Sequence, residues 1–132
     1  MRATVVLVNG SAVERRRLAE IAQAAGHRVV FATAEKVLRN FAPPPRTVLV
    51  IDCGNQEMPP PYSLIDALHE RGVYLPTLVT VAPYGIKDAV NAMRREVSDV
   101  LEQPLGASRF LLSVDAALQK GRRLGRPGSE SW

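Results

Sequence analysis

The chain holds one cysteine and two histidines in 132 residues. With Cys53 alone no internal disulfide can form, which fits a reducing compartment and a cytoplasmic location. Cys53 is read as a small buried residue rather than a redox sensor. His27 and His69 stand far apart, so neither a metal cluster nor a Ser/His/Asp or Cys/His catalytic set is expected. Each histidine takes a structural role. The aromatic residues, 5% of the chain, follow no stacking pattern, and no helix-turn-helix pattern is present. Both absences argue against a nucleic-acid-binding module. No apolar run nears the ~20 residues of a membrane span. The start, MRATVVLVNGS, is interrupted by Asn9 and Gly10 and lacks the layout of a signal peptide.

Phosphate cradles are missing too. The turn after the first apolar run, VNGSAVE, contains neither a dinucleotide-type nor a P-loop glycine pattern. A flavin phosphate loop would need several Ser, Thr and Gly there, and Ser11 is a lone candidate better used as a helix cap. VLVID (Val48–Asp52) has the look of a Walker B strand end, a pattern too weak to stand alone. No cofactor, metal or catalytic residue is therefore expected.

What is present is an ordinary globular composition, 46% hydrophobic and 23% charged, of about one domain's length. The net charge of +4 gathers at the end. Lys120, Arg122, Arg123 and Arg126 stand against Glu130 alone, whereas residues 1–119 are nearly balanced. KGRRLGRPGSESW reads as a basic, poorly ordered tail. The expected division is a domain over residues 1–120 and a tail over 121–132.

Two periodicities alternate along the domain. Ala3–Val8, Thr47–Ile51 and Thr77–Val81 are continuous apolar runs, as in strands of a parallel sheet buried on both faces. Arg28–Ala32 and Asp99–Glu102 are shorter strands. Ser11 with Glu14 forms a capping box, followed by Leu18, Ile21, Ala22 and Ala25 at helical spacing, with Gly26 as a stop. Ala34, Val37, Leu38 and Phe41 predict a short helix closed by Pro43–Pro45. A loop over Gln56–Pro61 precedes a helix marked by Leu64, Ile65 and Leu68. Ile86, Ala89, Val90, Met93 and Val97 predict an amphipathic helix whose apolar side enters the core. Ala107, Leu111, Val114 and Leu118 predict the last helix. Five βα units imply a parallel sheet with helices on both faces. The flavodoxin-like order 2-1-3-4-5 places a crevice at the carboxyl ends of the strands, lined here by Asn9, Gly10, Asp52, Val81 and Gln103.

Over residues 3–120 the sequence resembles the receiver domains of two-component response regulators. Asp52 ends the third strand, where receivers place the phosphoacceptor. LPTLVTVAPYGIKDAVNAMRREVSDVLEQPL is similar to the receiver segment from the fourth strand to the fifth helix, above all in AVNAM (Ala89–Met93) and DVLEQP (Asp99–Pro104). AAGHRVVFATAEKVL, residues 24–38, has the cadence of the second strand and helix. The resemblance also implies departures. Asn9 and Gly10 replace the family's acidic pair. Val81 takes the place of the switch hydroxyl, with Thr80 one residue early and expected to face the other way. Val100 replaces the switch aromatic, and Gln103 replaces the lysine. CGNQEMPPPYS replaces the tight turn after the phosphoacceptor. A cis bond before Pro104 is implied.

Phosphoryl transfer needs charge cancelled on the equatorial oxygens, and of that set only Asp52 remains. The sequence is therefore read as a pseudo-receiver: a non-catalytic module of two-component or transcriptional regulation, working by protein–protein contact without phosphorylation. Asp52 is then a structural remnant. The alternative is a receiver phosphorylated on Asp52 by a histidine kinase. The candidate interface lies between the fourth and fifth helices, with Lys87, Asn91, Arg94, Arg95, Glu102 and Arg109. A signalling protein or a second copy is the expected partner; nucleic acid and membrane are not.

Overall fold

The structure, a computed structural model, describes residues 2–40, 43–53 and 62–123, apart from the side chains of Asn40 and residues 121–123. Phe41, the loop over Gln56–Pro61 and the tail from residue 124 lie outside the described residues. The strands are β1 (Thr4–Val8), β2 (Arg28–Ala32), β3 (Thr47–Asp52), β4 (Thr77–Val81) and β5 (Asp99–Glu102). They alternate with α1 (Ala12–Ala24), α2 (Ala34–Asn40), α3 (Ser63–Glu70), α4 (Ile86–Met93) and α5 (Ala107–Arg123). The expected domain boundary at residue 120 falls inside α5. All strand pairs are parallel, in the order β2-β1-β3-β4-β5.

The continuous apolar runs are strands because both sheet faces are covered. Every residue of β1, β3 and β4 is buried. Successive side chains point to opposite faces, so alternate residues feed two cores. Val5, Leu7, Val50 and Leu78 pack with Leu18 and Ala22 of α1 and with Phe110 and Val114 of α5. Val6, Val8, Ile51 and Val79 pack with Val37, Leu64, Leu68 and Ala92 of the other helices. α1 starts where the sequence says it should, with the Glu14 N–H donating to Ser11 Oγ at 3.1 Å. The Glu14 carboxylate does not complete the box, pairing instead with Arg17 at 3.1 Å.

Two helix faces differ from expectation. In α5 Val114 and Leu118 are buried as expected and are joined by Phe110, Ser113 and Ala117, while Leu111 is half-buried and Ala107 exposed. In α4 three of the predicted core positions face out, Ile86 at 72% exposed, Met93 at 64% and Val90 at 41%, while Ala89 is half-buried and Val97, past the end of the helix, packs against the core. Ala92 is the buried residue of that helix. A small side chain lets the helix sit close to the sheet, so its large apolar residues are left outside.

His27 shows why a histidine suits the entrance to β2. It is buried, and its Nδ1 accepts the Ala3 N–H at 3.0 Å. That bond needs a ring with Nδ1 unprotonated. Burial pulls the imidazole below its ordinary value of 6.5, and Asp115 opposes the shift. With the folded value depressed, the unfolded chain binds more protons near and below pH 6.5. His27 therefore contributes stability that is present above that pH and lost as pH falls. Thermal melts at pH 7.5, 6.5 and 5.5 are expected to show a fall that His27→Gln reduces. Equal slopes in the two proteins would remove this account.

Candidate functional site

The carboxyl ends of β1, β3, β4 and β5 meet at Asp52. Its position follows from strand parity: Val48, Val50 and Asp52 share the face covered by α1 and α5. β3 and β4 pair in the register Asp52↔Thr80, so Thr80 lies on that same face. Its Oγ1 donates to Asp52 Oδ1 at 3.1 Å. The expectation that Thr80 turns away, leaving Val81 at the hydroxyl's place, is thus corrected. Val81 packs into the opposite core with Ile51 and Val79, as period-two alternation requires once Thr80 is paired with Asp52.

Gln103 joins the same oxygen. Its Nε2 donates to Asp52 Oδ1 at 3.1 Å and lies 3.4 Å from Thr80 Oγ1. The Gln103 backbone N–H donates to Val81 O at 2.8 Å, and the bond to Pro104 is cis. One carboxylate oxygen therefore ties the ends of three strands together. Asp52 itself is nearly closed to solvent, at 9% exposure.

The other oxygen faces the turn after β1. Asn9 and Gly10 both have positive φ, 63° and 90°, a conformation that Asn tolerates and Gly adopts freely. A Cβ at Gly10 would stand 2.9 Å from Asp52 Oδ2. Absence of a side chain is what lets the two segments meet. The cavity beside them, lined by Asn9, Gly10, Glu14, Arg15, Asp52 and Thr80, measures about 10 Å³. That is room for about one water molecule.

The receiver resemblance implies a magnesium ion here, so its fit can be tested on these residues. It demands near-octahedral oxygen ligands. Asn9 offers an amide and Gly10 no side chain, while Asp52 Oδ1 is already engaged by two donors. Among the described residues no three of His, Cys, Asp and Glu converge on one point. The described residues do not fit the ion. Cys53, next to Asp52, is also chemically quiet. Burial, then Asp88 and Asp52, push its thiol up to about 12, so the nucleophilic thiolate is scarce at neutral pH.

The six candidate interface residues separate into two groups. Lys87 on α4 and Arg94 just past its end are exposed, and Asn91 of α4 is half-buried. Arg95 is not a free surface cation: its Nε donates to Asp66 Oδ1 at 2.8 Å, and its guanidinium lies 4.6 Å from the Tyr62 ring centre. It clamps α4 to α3. Arg109 pairs with Asp99 at 3.0 Å, holding α5 to β5. The Glu102 carboxylate accepts the Tyr84 N–H at 3.0 Å. Val100 of β5 packs, half-buried, against the core beneath α4. Sequence reasoning missed the Asp66 tie because its partner lies 29 residues away.

No family model matches the chain, and no curated protein matches it by sequence. Solved structures do match it. A crystal structure of NtrX from Brucella abortus superposes with a TM-score of 0.80 at 24% identity, covering 94% of this chain and 29% of that one. FixJ-N superposes with a TM-score of 0.80 at 26% identity, covering 89% of this chain and 94% of that one. A response regulator receiver protein from Pseudoalteromonas atlantica gives 0.76 at 22% identity, with 89% and 98% covered. The fold is that of a response-regulator receiver domain. The chain spans under a third of the NtrX structure, but nearly all of FixJ-N.

Proposed function

We propose that this chain is a receiver-like signalling module that acts by protein–protein contact without a phosphoryl switch, in two-component or transcriptional regulation in the cytoplasm. The observation that carries it is the state of Asp52. Gln103 donates from a neutral amide where a receiver lysine would bring charge, and Gly10 stands where a second carboxylate would help hold a cation. Phosphoryl transfer to a carboxylate depends on cancelling charge at the transferred group. Each missing group removes about 3 kcal/mol of such stabilisation. What remains at Asp52 is a structural acceptor.

A second reading keeps Asp52 as a phosphoacceptor, and one observation favours it: the Thr80 hydroxyl is 3.1 Å from Asp52 Oδ1. One experiment separates the two. Acetyl phosphate or beryllofluoride with magnesium is expected to leave the intact mass and the amide NMR shifts around Asp52 unchanged. Stoichiometric labelling of Asp52 would establish the second reading. No helix among the described residues is long and apolar enough to cross a membrane.

A further inference from the structure

The two edges of the sheet are β2 and β5, and they are built differently. β5 is four residues long and begins and ends in carboxylates, Asp99 and Glu102. β2 is five residues long, RVVFA, with Val29, Val30 and Phe31 in a row. Native sheets guard an open edge with charge, proline or a bulge. After Arg28 the strand has no charge and no proline, and its unbroken register with β1 leaves no bulge. Val30 is 43% exposed and Phe31 52%.

The backbone of this edge is open too. The Arg28 N–H donates inward to Ala3 O at 2.9 Å. Alternate residues of a strand direct their backbone groups to opposite sides, so the N–H and C=O of Val29 and Phe31 point away from β1. Among the described residues neither has a backbone partner on that side. Val29 packs against the core beneath α1, and the Phe31 ring lies 5.9 Å from the Arg15 guanidinium of α1. Val30 lies on the other face of the sheet.

We propose that β2 pairs antiparallel with β2 of a second copy about a two-fold axis at Val30, joining the two sheets into one. The open backbone groups set the register. Val29 faces Phe31 of the second copy, and each such pair exchanges both its N–H···O bonds. Val30 faces Val30 in the intervening non-hydrogen-bonded pair, where side chains come closest. Arg28 faces Ala32, so no like charges are opposed within the strand. Pairing an aromatic with a β-branched residue is favourable. This self-complementarity selects a second copy as the occupant, since every outward group meets its symmetry mate. The same operation on β5 would set Asp99 against Glu102, like charges directly opposite. Asp52 lies on β3, with β1 between it and β2, so the proposal goes beyond the contact-module reading and does not depend on the chemistry of Asp52.

The test is sedimentation of the whole chain over a range of concentrations. One strand pairing is a small interface, so a weak dimer is expected, with a Kd of about 1 μM to 1 mM. Val30→Lys and Val30→Glu each place like charges on the axis and should weaken the dimer at least about tenfold, about 1.4 kcal/mol. An equimolar mixture of the two should dimerise again, because Lys then faces Glu; a misfolded variant could not be rescued in this way. Val30→Cys should cross-link under diamide, since the Cα atoms of such a pair stand about 4.5 Å apart, within disulfide reach. Phe31→Cys should not, because the two copies of that residue are diagonal neighbours roughly 7–8 Å apart. A monomer at every concentration, a dimer indifferent to both charge variants, or a mixture that stays monomeric overturns the proposal. So does a dimer that Val90→Asp dissolves and Val30→Lys does not, since the contact is then on α4.

Discussion

Replacing Gly10 by Asp, which restores a carboxylate beside Asp52, is expected to destabilise the protein by about 3 kcal/mol and to gain nothing from magnesium. Gly10 has a φ of 90°, and a Cβ built there approaches Asp52 Oδ2 to 2.9 Å. The left-handed backbone costs an L-residue roughly 1–2 kcal/mol, and forcing atoms into a closed site costs roughly 1–3 kcal/mol. Asp52 cannot simply swing aside, because Thr80 and Gln103 both hold its other oxygen. Gly10→Ala meets the same backbone and steric terms without the charge, so comparing the two variants by denaturant unfolding isolates carboxylate repulsion. Magnesium then distinguishes repulsion from a rebuilt cation site. A bound ion stabilises the folded state by mass action, so a large recovery of Gly10→Asp in magnesium, absent in Gly10→Ala, would show that the crevice accepts the ion after one change. The pseudo-receiver reading would then be reduced to the loss of a single residue.

Much of this site was legible before any coordinates. The order of elements follows from runs such as Val5–Val8 and Val48–Ile51, which no surface strand would carry, and from the punctuation of Gly26 and Pro43–Pro45. Asp52, Asn9, Gly10 and Gln103 were placed together because parallel strands bring their carboxyl ends to one edge. Thr80 was not, because its position was counted from the resemblance rather than from the pairing of β3 with β4. A one-residue difference in register moves a side chain to the opposite face. The pairing Asp52↔Thr80 decides the matter, and strand pairing across a long connection is not written in either strand. The α4 face has a different cause. Periodicity tells which side of a helix is apolar but not whether anything covers it. Ala92 beneath and Ile86, Val90 and Met93 outside satisfy the same pattern in reverse.

The last helix offers the largest single effect. Phe110→Ala is expected to cost about 3–5 kcal/mol, the range for removing a buried aromatic ring. Phe110 is fully buried and the largest such side chain in the core between the sheet and α1 and α5. Its neighbours in that core, Val5, Val50, Leu78 and Leu101, belong to four different strands. They are fixed by backbone pairing and cannot collapse onto the space left behind. Leu112→Ala, two residues along the same helix but 65% exposed, controls for helix propensity and should change stability by about 0.5 kcal/mol or less. Melting temperatures should therefore separate by roughly 10–20 °C.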